Sequence, residues 1–206
     1  YEQIGSGLGI FGQRYNAAGD KVGVEFQINT TADQWQEMSN VEALAGGGFV
    51  VTWSTLGDDG TNYNIFGQRY DAAGAADGAE FQVNTTANDD QWVSTTAGLT
   101  DGGFVVTWTS NNQDGDGYGI YGQRYDAAGA TAGAEFQINT YTAGGQQFTD
   151  VTELPDGGFV VTWTSNGQDG NSDGVYGQRF DAVGGAVGAE FQINSFTNGQ
   201  QQTPSV

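Results

Sequence analysis

Apolar and polar residues alternate with a period of two along several short stretches of the chain. The segment FVVTW at 104–108 alternates Phe, Val and Trp with Val and Thr, and EFQIN at 135–139 alternates Glu, Gln and Asn with Phe and Ile. This alternation predicts β-strands, because consecutive strand side chains point to opposite faces of a sheet. A weaker strand of small residues is predicted at about 93–99. The Gly-, Asp- and Asn-rich segments between the strands predict hairpin loops.

Three phrases recur along the chain at a constant spacing. GQRY or GQRF occurs four times at intervals of 55 residues, EFQIN or EFQVN keeps the same interval, and GGFVVTW occurs three times. Such self-similarity is the signature of a repeat architecture. We therefore interpret residues 1–206 as a single repeat domain, with a partial unit at about 1–40 and further units at 41–95, 96–150 and 151–206.

The repeat and the strand pattern together predict the fold class. Each unit is predicted to be an all-β, four-stranded antiparallel meander, which is the size of one blade of a β-propeller. We predict strands near 49–54, 64–71 and 79–84 and at the equivalent positions of the later units, with Phe104 and Trp108 buried. An open stacked array of small sheets is the alternative, since it buries the same repeated face.

Composition narrows the classes of function. The formal net charge is −20, which disfavours nucleic acids and anionic membranes as partners and favours cations. The chain has no His and no Cys, which removes the commonest general base and thiol chemistry. It also has no nucleophile-elbow, P-loop or metalloprotease motif. We therefore expect the chain to have no enzymatic activity.

The basic residues are concentrated at one repeated position. Four of the five Lys and Arg residues occupy the GQR phrase. If the following loop closes a hairpin, each of these arginines lies nearly opposite a glutamate of the EFQ phrase, and a cross-strand ion pair stabilises hairpin register. An anion-binding ring of arginines is the alternative. The predicted structural pairs are Arg14 with Glu25, Arg69 with Glu80, Arg124 with Glu135, and Arg179 with Glu190.

The loop between the second and third predicted strands carries most of the candidate chemistry. Its sequences alternate acidic residues with Gly, as in NNQDGDGYG at 111–119. Such loops can direct several carboxylate oxygens to one point, which is what Ca²⁺ requires, although Asp-Gly is also a common turn former. The candidate calcium ligands are Asp58, Asp59, Asp114, Asp116, Asp169 and Asp173.

Some aromatic residues fall outside the strand pattern. Trp35 and Trp92 do not follow the 55-residue spacing, and Tyr63 and Tyr118 lie beside Asp, Asn and Gly in the loops. Aromatic rings beside polar residues stack on sugars in binding pockets, so these four residues are candidate ligand-binding residues of a lectin-like module. Isolated exposed aromatic residues are also ordinary on protein surfaces.

The three phrases taken together resemble a known kind of repeat. The segment GGFVVTWTSNNQDGDGYGIYGQRYDAAGATAGAEFQINT at 102–140 is similar to tandem repeats of very large secreted or surface proteins of bacteria, often beside calcium-binding nonapeptide repeats of the RTX type. The strand and turn layout also resembles β-propeller blades of the TolB and kelch kind. The resemblance implies an extracellular, adhesive or architectural module without enzymatic activity.

The first unit is expected to be incomplete. Four full units require 220 residues against the 206 present, and the missing segment corresponds to 152–165, which holds the hydrophobic second strand. An unpaired strand edge favours pairing with another chain. We therefore expect either self-association or a place in a longer repeat array, with copies of itself, neighbouring repeats or surface glycans as partners. The alternative is an excised fragment whose second strand is lost or disordered.

Overall fold

The computed structural model describes residues 9–31, 34–57 and 61–206, which form four successive β-units. The first unit is a hairpin and the other three are four-stranded antiparallel sheets. The first unit contains β1 (Phe11–Tyr15) and β2 (Lys21–Gln27). The second contains β3 (Gln36–Ala43), β4 (Phe49–Leu56), β5 (Tyr63–Tyr70) and β6 (Phe81–Gln82). The third contains β7 (Gln91–Gly98), β8 (Phe104–Asn111), β9 (Tyr118–Tyr125) and β10 (Phe136–Gln137). The fourth contains β11 (Gln146–Glu153), β12 (Phe159–Asn166), β13 (Asp173–Phe180) and β14 (Ala186–Gln192).

Each complete unit is a meander in which neighbouring strands follow one another in the chain. The two central strands pair over eight residues, for example from Phe104 with Tyr125 to Asn111 with Tyr118. No helix occurs in the ranges given above, so none there is available to span a membrane. The predicted all-β, propeller-like fold is confirmed, and the units lie side by side without closing into a barrel.

The predicted strand positions agree with the structure at the centre of each unit. Observed strands at 49–56 and 63–70 match predictions at 49–54 and 64–71, whereas the strand predicted at 79–84 is reduced to Phe81 and Gln82. The sheets begin at residues 36, 91 and 146, five residues before the repeat boundaries drawn from the sequence. The first strand starts at a buried glutamine, which the small-residue pattern did not mark.

The hydrophobic core lies between units. One cluster joins Val105, Ile120 and Ile138 of the third unit to Phe159 and Trp163 of the fourth, and similar clusters join the earlier units. Phe104, Phe159 and the three repeated tryptophans Trp53, Trp108 and Trp163 are fully buried, as predicted for Phe104 and Trp108. Since burying a large apolar side chain stabilises by about 1.5–3 kcal/mol, each unit depends on its neighbour for stability.

Aromatic rings also cross from one unit to the next. The ring of Phe81 in the second unit lies 5.3 Å from that of Tyr125 in the third, and Phe136 lies 5.5 Å from Phe180 in the fourth. Within the third unit, the ring of Tyr125 also stacks on that of Phe104, the first residue of the second strand. The two ring centroids are 4.6 Å apart. The third strand of each complete unit therefore ends in an aromatic side chain that two other rings contact.

The first strands of the complete units lie beside one another. Their side chains and backbone surround a cavity of about 490 Å³ that includes Asn40, Glu42, Thr96 and Asp150. Each first strand contains a bulge, where the register shifts between Glu37 and Asn40 and at the equivalent places in β7 and β11. The bulge residues Met38, Val93 and Phe148 have φ values of 54°, 53° and 57°. This convergence of first strands on a shared cavity is propeller-like.

Candidate functional site

The repeated arginines contact the following unit. Arg14 donates to the backbone carbonyls of Ala72, at 2.7 Å, and Ala73, which lie in the turn after β5. In the same way Arg69 donates to Ala127 at 3.0 Å, and Arg124 to Ala182 at 2.6 Å. Each arginine therefore fastens the third strand of one unit to a turn of the next.

A glycine in that turn makes the contact possible. Gly74 and Gly184 have φ values of +84° and +87°, a left-handed conformation that suits glycine. A Cβ atom on Gly184 would lie 3.0 Å from Cδ of Arg124. The repeated DAAG phrase is thus a turn with exposed carbonyls and no side chain in the path of the guanidinium.

The predicted Arg–Glu pairs do not form among the described residues. Arg14 lies opposite Val22 and Arg179 opposite Val187, because the register shifts by a bulge just before each arginine. The carboxylate partners are aspartates instead: Asp77 lies 2.8 Å from Arg69, Asp101 4.0 Å from Arg124, and Asp156 3.0 Å from Arg179. The predicted carboxylate partners are therefore corrected from glutamates to aspartates.

Each repeated glutamate also bonds across a boundary between units, but to the preceding unit rather than to the following one. Glu135 accepts hydrogen bonds from the backbone N–H of Thr85 at 2.6 Å and from its hydroxyl at 2.9 Å. Glu80 binds Thr30 and Glu190 binds Thr140 in the same way. Hydrogen bonds to charged groups contribute about 1.5–3 kcal/mol each, so this contact is a substantial part of the interface.

The asparagine of the EFQIN phrase is a connecting residue that the sequence interpretation missed. The Oδ1 atom of Asn139 accepts from the N–H of Ile120 at 2.7 Å. Its Nδ2 atom donates to the Tyr141 carbonyl at 2.9 Å and to Oε1 of Gln146, the first residue of the next unit, at 3.1 Å. The signal was present, because this asparagine recurs every 55 residues at 29, 84, 139 and 194.

The candidate calcium ligands Asp114 and Asp169 make local hydrogen bonds within their own loops. Asp58 and Asp59 lie outside the described residues. Asp114 accepts from the N–H of Asp116 at 3.3 Å, and Asp169 from that of Asn171 at 3.1 Å. These are the bonds of ordinary Asx turns. In the described ranges, no group of three or more acidic side chains is placed to hold a metal ion.

Asp173 differs from the other candidate ligands. It begins β13 and is 7% exposed. Its carboxylate accepts from Asn166 at 2.7 Å and from Gln202. A buried carboxylate held by two amide donors is part of a polar network between strands.

The candidate aromatic residues are in different surroundings. Trp35 is 52% exposed. The ring of Trp92 lies 5.8 Å from that of Tyr118. Burial, together with a hydrogen bond and charge from Glu37, raises the pKa of Tyr63 to about 12. The structure thus brings Trp92 and Tyr118 together and leaves Trp35 apart.

A pocket lies at the boundary between the third and fourth units, beside Tyr118. Its volume is about 430 Å³, and its lining includes Tyr118, Gln147, Asn166 and Asp173. At the preceding boundary, the positions equivalent to Gln147 and Asp173 are Trp92 and Tyr118, whose rings are in contact. The polar replacements leave an open site where the earlier boundary has packed rings.

No protein-family model and no curated protein sequence matches the chain. Among solved structures, it is similar to an endo-arabinase from Bacteroides thetaiotaomicron VPI-5482, with a TM-score of 0.47 and 14% identity over 82% of this chain. The chain spans 63% of the arabinase. It is also similar to a fucose lectin from Kordia zhangzhouensis in complex with methyl-fucoside, with a TM-score of 0.44 and 11% identity over 77% of this chain and 100% of the lectin. Similarity at this level gives no information about a ligand or an activity of this chain.

Proposed function

We propose that the chain is a non-catalytic structural repeat module whose units fasten side by side, and that the same contacts join one copy to another. The contacts of the interior boundaries support this. Each repeated arginine and glutamate at these boundaries contributes a hydrogen bond across them, as do Asn29 and Asn139. The repeated chemistry is therefore directed at neighbouring units.

The observation that carries the proposal is the match between the two outer faces of the array. On the fourth unit, Arg179 occupies the position of Arg124, and Ser195 that of Thr140. On the first unit, the turn at 17–19 occupies the position of the turn at 72–74, and Glu25 that of Glu80. These are the same types of donor and acceptor that join the units inside the array.

Aromatic residues at the two faces match as well. Phe191 on the fourth unit is 41% exposed and corresponds to Phe136, which packs on Phe180 of the next unit. Tyr15 on the first unit is 59% exposed and corresponds to Tyr70, which receives the ring of Phe26. One face thus presents donors and a ring, and the other presents the matching acceptors and a ring.

We call the contact between the fourth unit of one copy and the first unit of another the head-to-tail contact. Sedimentation velocity over a range of protein concentrations tests it. We expect reversible association of the full chain, weakened about tenfold by Glu25→Ala, since losing a charged hydrogen bond costs about 1.4 kcal/mol or more. Lys21→Ala in the same hairpin is the matched control and should leave association unchanged. A chain that stays monomeric up to millimolar concentration contradicts the proposal.

A carbohydrate-binding module is the second candidate, and the pocket beside Tyr118 is what favours it. The pocket has the size of a small-ligand site and combines an aromatic ring with a carboxylate and amides, which are the groups that recognise sugars. A glycan array followed by titration calorimetry tests it. Tyr118→Ala should abolish a binding signal and Trp35→Ala should retain it; an array without any hit rejects this candidate.

An extracellular location and calcium binding remain part of the proposal. The resemblance to repeats of bacterial surface proteins supports the location, and the acidic, Gly-rich composition of the loops supports calcium binding.

A further inference from the structure

The pocket beside Tyr118 contains a buried carboxylate without a basic partner. Asp173 is 7% exposed, and its carboxylate accepts hydrogen bonds from the side-chain amides of Asn166, at 2.7 Å, and Gln202. Both donors are neutral. The ion pairs of the described residues use other aspartates, and none of them includes Asp173. A buried negative charge without a positive partner is costly, so this pocket favours a cation.

The carboxylate of Asp173 has room for further donors. A carboxylate oxygen accepts about two hydrogen bonds, and Oδ1 and Oδ2 of Asp173 each have one amide donor. The residue also lines the pocket. A positive nitrogen that carries several N–H groups matches the remaining acceptor sites in number and in charge.

Aromatic side chains form another part of the lining. Tyr118 and Phe148 both line the pocket. The ring of Tyr118 packs against that of Trp92, with centroids 5.8 Å apart, which fixes its position. An aromatic face attracts a nearby cation and also provides an apolar surface for a ligand ring. The lining therefore combines an acidic group with an aromatic surface.

A glycine adds to the open space at this boundary. The positions equivalent to Gly145 are Trp35 and Asp90. A Cβ atom on Gly145 would lie 3.6 Å from Cδ2 of Tyr118 and 3.0 Å from Nε2 of Gln147, and both of these residues line the pocket. At the preceding boundary, the Asp90 side chain crosses to the second unit and accepts a backbone hydrogen bond at 3.1 Å. The boundary between the third and fourth units has no such side chain.

The segment 201–203 closes the pocket on the side of Asp173. The N–H of Gln201 donates to the Asp173 carbonyl at 2.8 Å, and the N–H of Thr203 donates to the Thr164 hydroxyl at 3.0 Å. The third unit supplies the lining on the other side. The pocket is therefore bounded on both sides by residues that the structure describes.

The size of the pocket and its neutral polar groups indicate the class of cation. A volume of about 430 Å³ suits a small organic ligand, and Asp173 is the only acidic residue of its lining. The amides of Gln147 and Asn166 offer donors and acceptors for hydroxyl groups. A ligand that has an ammonium group, hydroxyl groups and a ring to lie on Tyr118 is an amino sugar.

We propose that the pocket beside Tyr118 binds a hexosamine whose amino group is free and positively charged. The ammonium group donates to the Asp173 carboxylate, the sugar ring lies on Tyr118, and the hydroxyl groups bond to Gln147 and Asn166. The net charge of −20 attracts such a ligand and disfavours acidic sugars. This inference rests on the carbohydrate-binding candidate of the proposed function and names its ligand.

Titration calorimetry of the full chain with two methyl glycosides tests the proposal. Methyl β-glucosaminide carries the ammonium group, and methyl N-acetyl-β-glucosaminide lacks its charge. We expect the glucosaminide to bind at least about tenfold more tightly, because only its ammonium group makes a charged hydrogen bond. Added NaCl should weaken the binding of the glucosaminide and leave that of the acetylated glycoside unchanged.

Three variants of the chain connect this preference to the pocket. Asp173→Asn keeps the size of the side chain and should remove the preference for the glucosaminide. Gln147→Trp introduces the residue found at the equivalent position 92 and should abolish the binding of both glycosides by filling the pocket. Asp20→Asn makes the same change of charge at an exposed residue of the first unit and should leave both affinities unchanged.

Three results would overturn the proposal. The first is equal affinity for the two glycosides, and the second is binding of n-butylamine as tight as that of the glucosaminide. The third is a loss in Asp20→Asn as large as that in Asp173→Asn. Equal binding of both glycosides that Tyr118→Ala abolishes would reject the ammonium group but keep the carbohydrate-binding candidate. No binding of either glycoside, together with a glycan array without any hit, would reject both.

Discussion

Arg124 and Arg179 occupy equivalent positions but have different surroundings. The Arg124 side chain is 10% exposed and donates to the Ala182 carbonyl of the next unit. The Arg179 side chain is 46% exposed and pairs with Asp156 of its own unit. The same residue type is therefore an interior connector in one case and a surface ion pair in the other.

Replacing each of these arginines by alanine should separate the two roles. Arg124→Ala removes a charged hydrogen bond to the Ala182 carbonyl and the packing of a largely buried side chain, so we expect the free energy of unfolding to fall by about 1–3 kcal/mol. Arg179→Ala removes an exposed pair and should cost less than about 1 kcal/mol. Urea unfolding of both variants measures the difference. Equal losses would contradict the assignment of Arg124 as an inter-unit connector.

Residue roles were harder to predict from sequence than strand positions. The 55-residue spacing marked Arg14 and Glu25 as important, but their partners depend on a bulge that shifts the register near Gln13. Two extra residues in β2 change which side chains face each other, and the alternation of apolar residues does not reveal them. Arg14 bonds a turn of the next unit, and the equivalents of Glu25 bond threonines of the preceding unit; an argument confined to one hairpin cannot find either partner.

Whole strands, too, were predicted well only where the local sequence pattern is strong. Strong period-two patterns located β4, β5, β8 and β9 to within about two residues. The first strands were harder because they carry small polar residues and a bulge whose residue, as with Met38 and Val93, is not a type that favours positive φ. Packing around the shared cavity imposes that conformation, and local sequence preference does not report it.

The bulge conformation predicts an unusual effect of glycine. A left-handed conformation costs a non-glycine residue roughly 1–2 kcal/mol, and Met38, at φ 54° and 46% exposed, has little buried surface to lose. We expect Met38→Gly to raise the free energy of unfolding by about 0.5–1 kcal/mol. Ser39→Gly, at the next position of the strand, should lower it by a similar amount. Thermal unfolding of the two variants checks the opposite signs.

At the scale of the whole molecule, the net charge of −20 opposes both folding and association. Like charges repel in the compact state, and salt screens this repulsion over a distance of about 8 Å at physiological ionic strength. Added NaCl should therefore raise the melting temperature and strengthen the proposed contact between copies. This general effect must be separated from a specific calcium site.

Calcium binding predicts a difference between salts at equal ionic strength. If the loops that carry Asp114, Asp116 and Asp169 bind Ca²⁺ only in the folded chain, the ion stabilises it by mass action, by about 2.7 kcal/mol at one hundred times the dissociation constant. Millimolar CaCl₂ should then raise the melting temperature above that in MgCl₂ or NaCl of matched ionic strength, because Ca²⁺ accepts oxygen ligands in a flexible geometry whereas Mg²⁺ demands a near-ideal octahedral one. The triple variant with Asp114→Asn, Asp116→Asn and Asp169→Asn should lose this difference while keeping the response to NaCl. Identical melting curves in the three salts would mean that cations act on this acidic chain by screening alone.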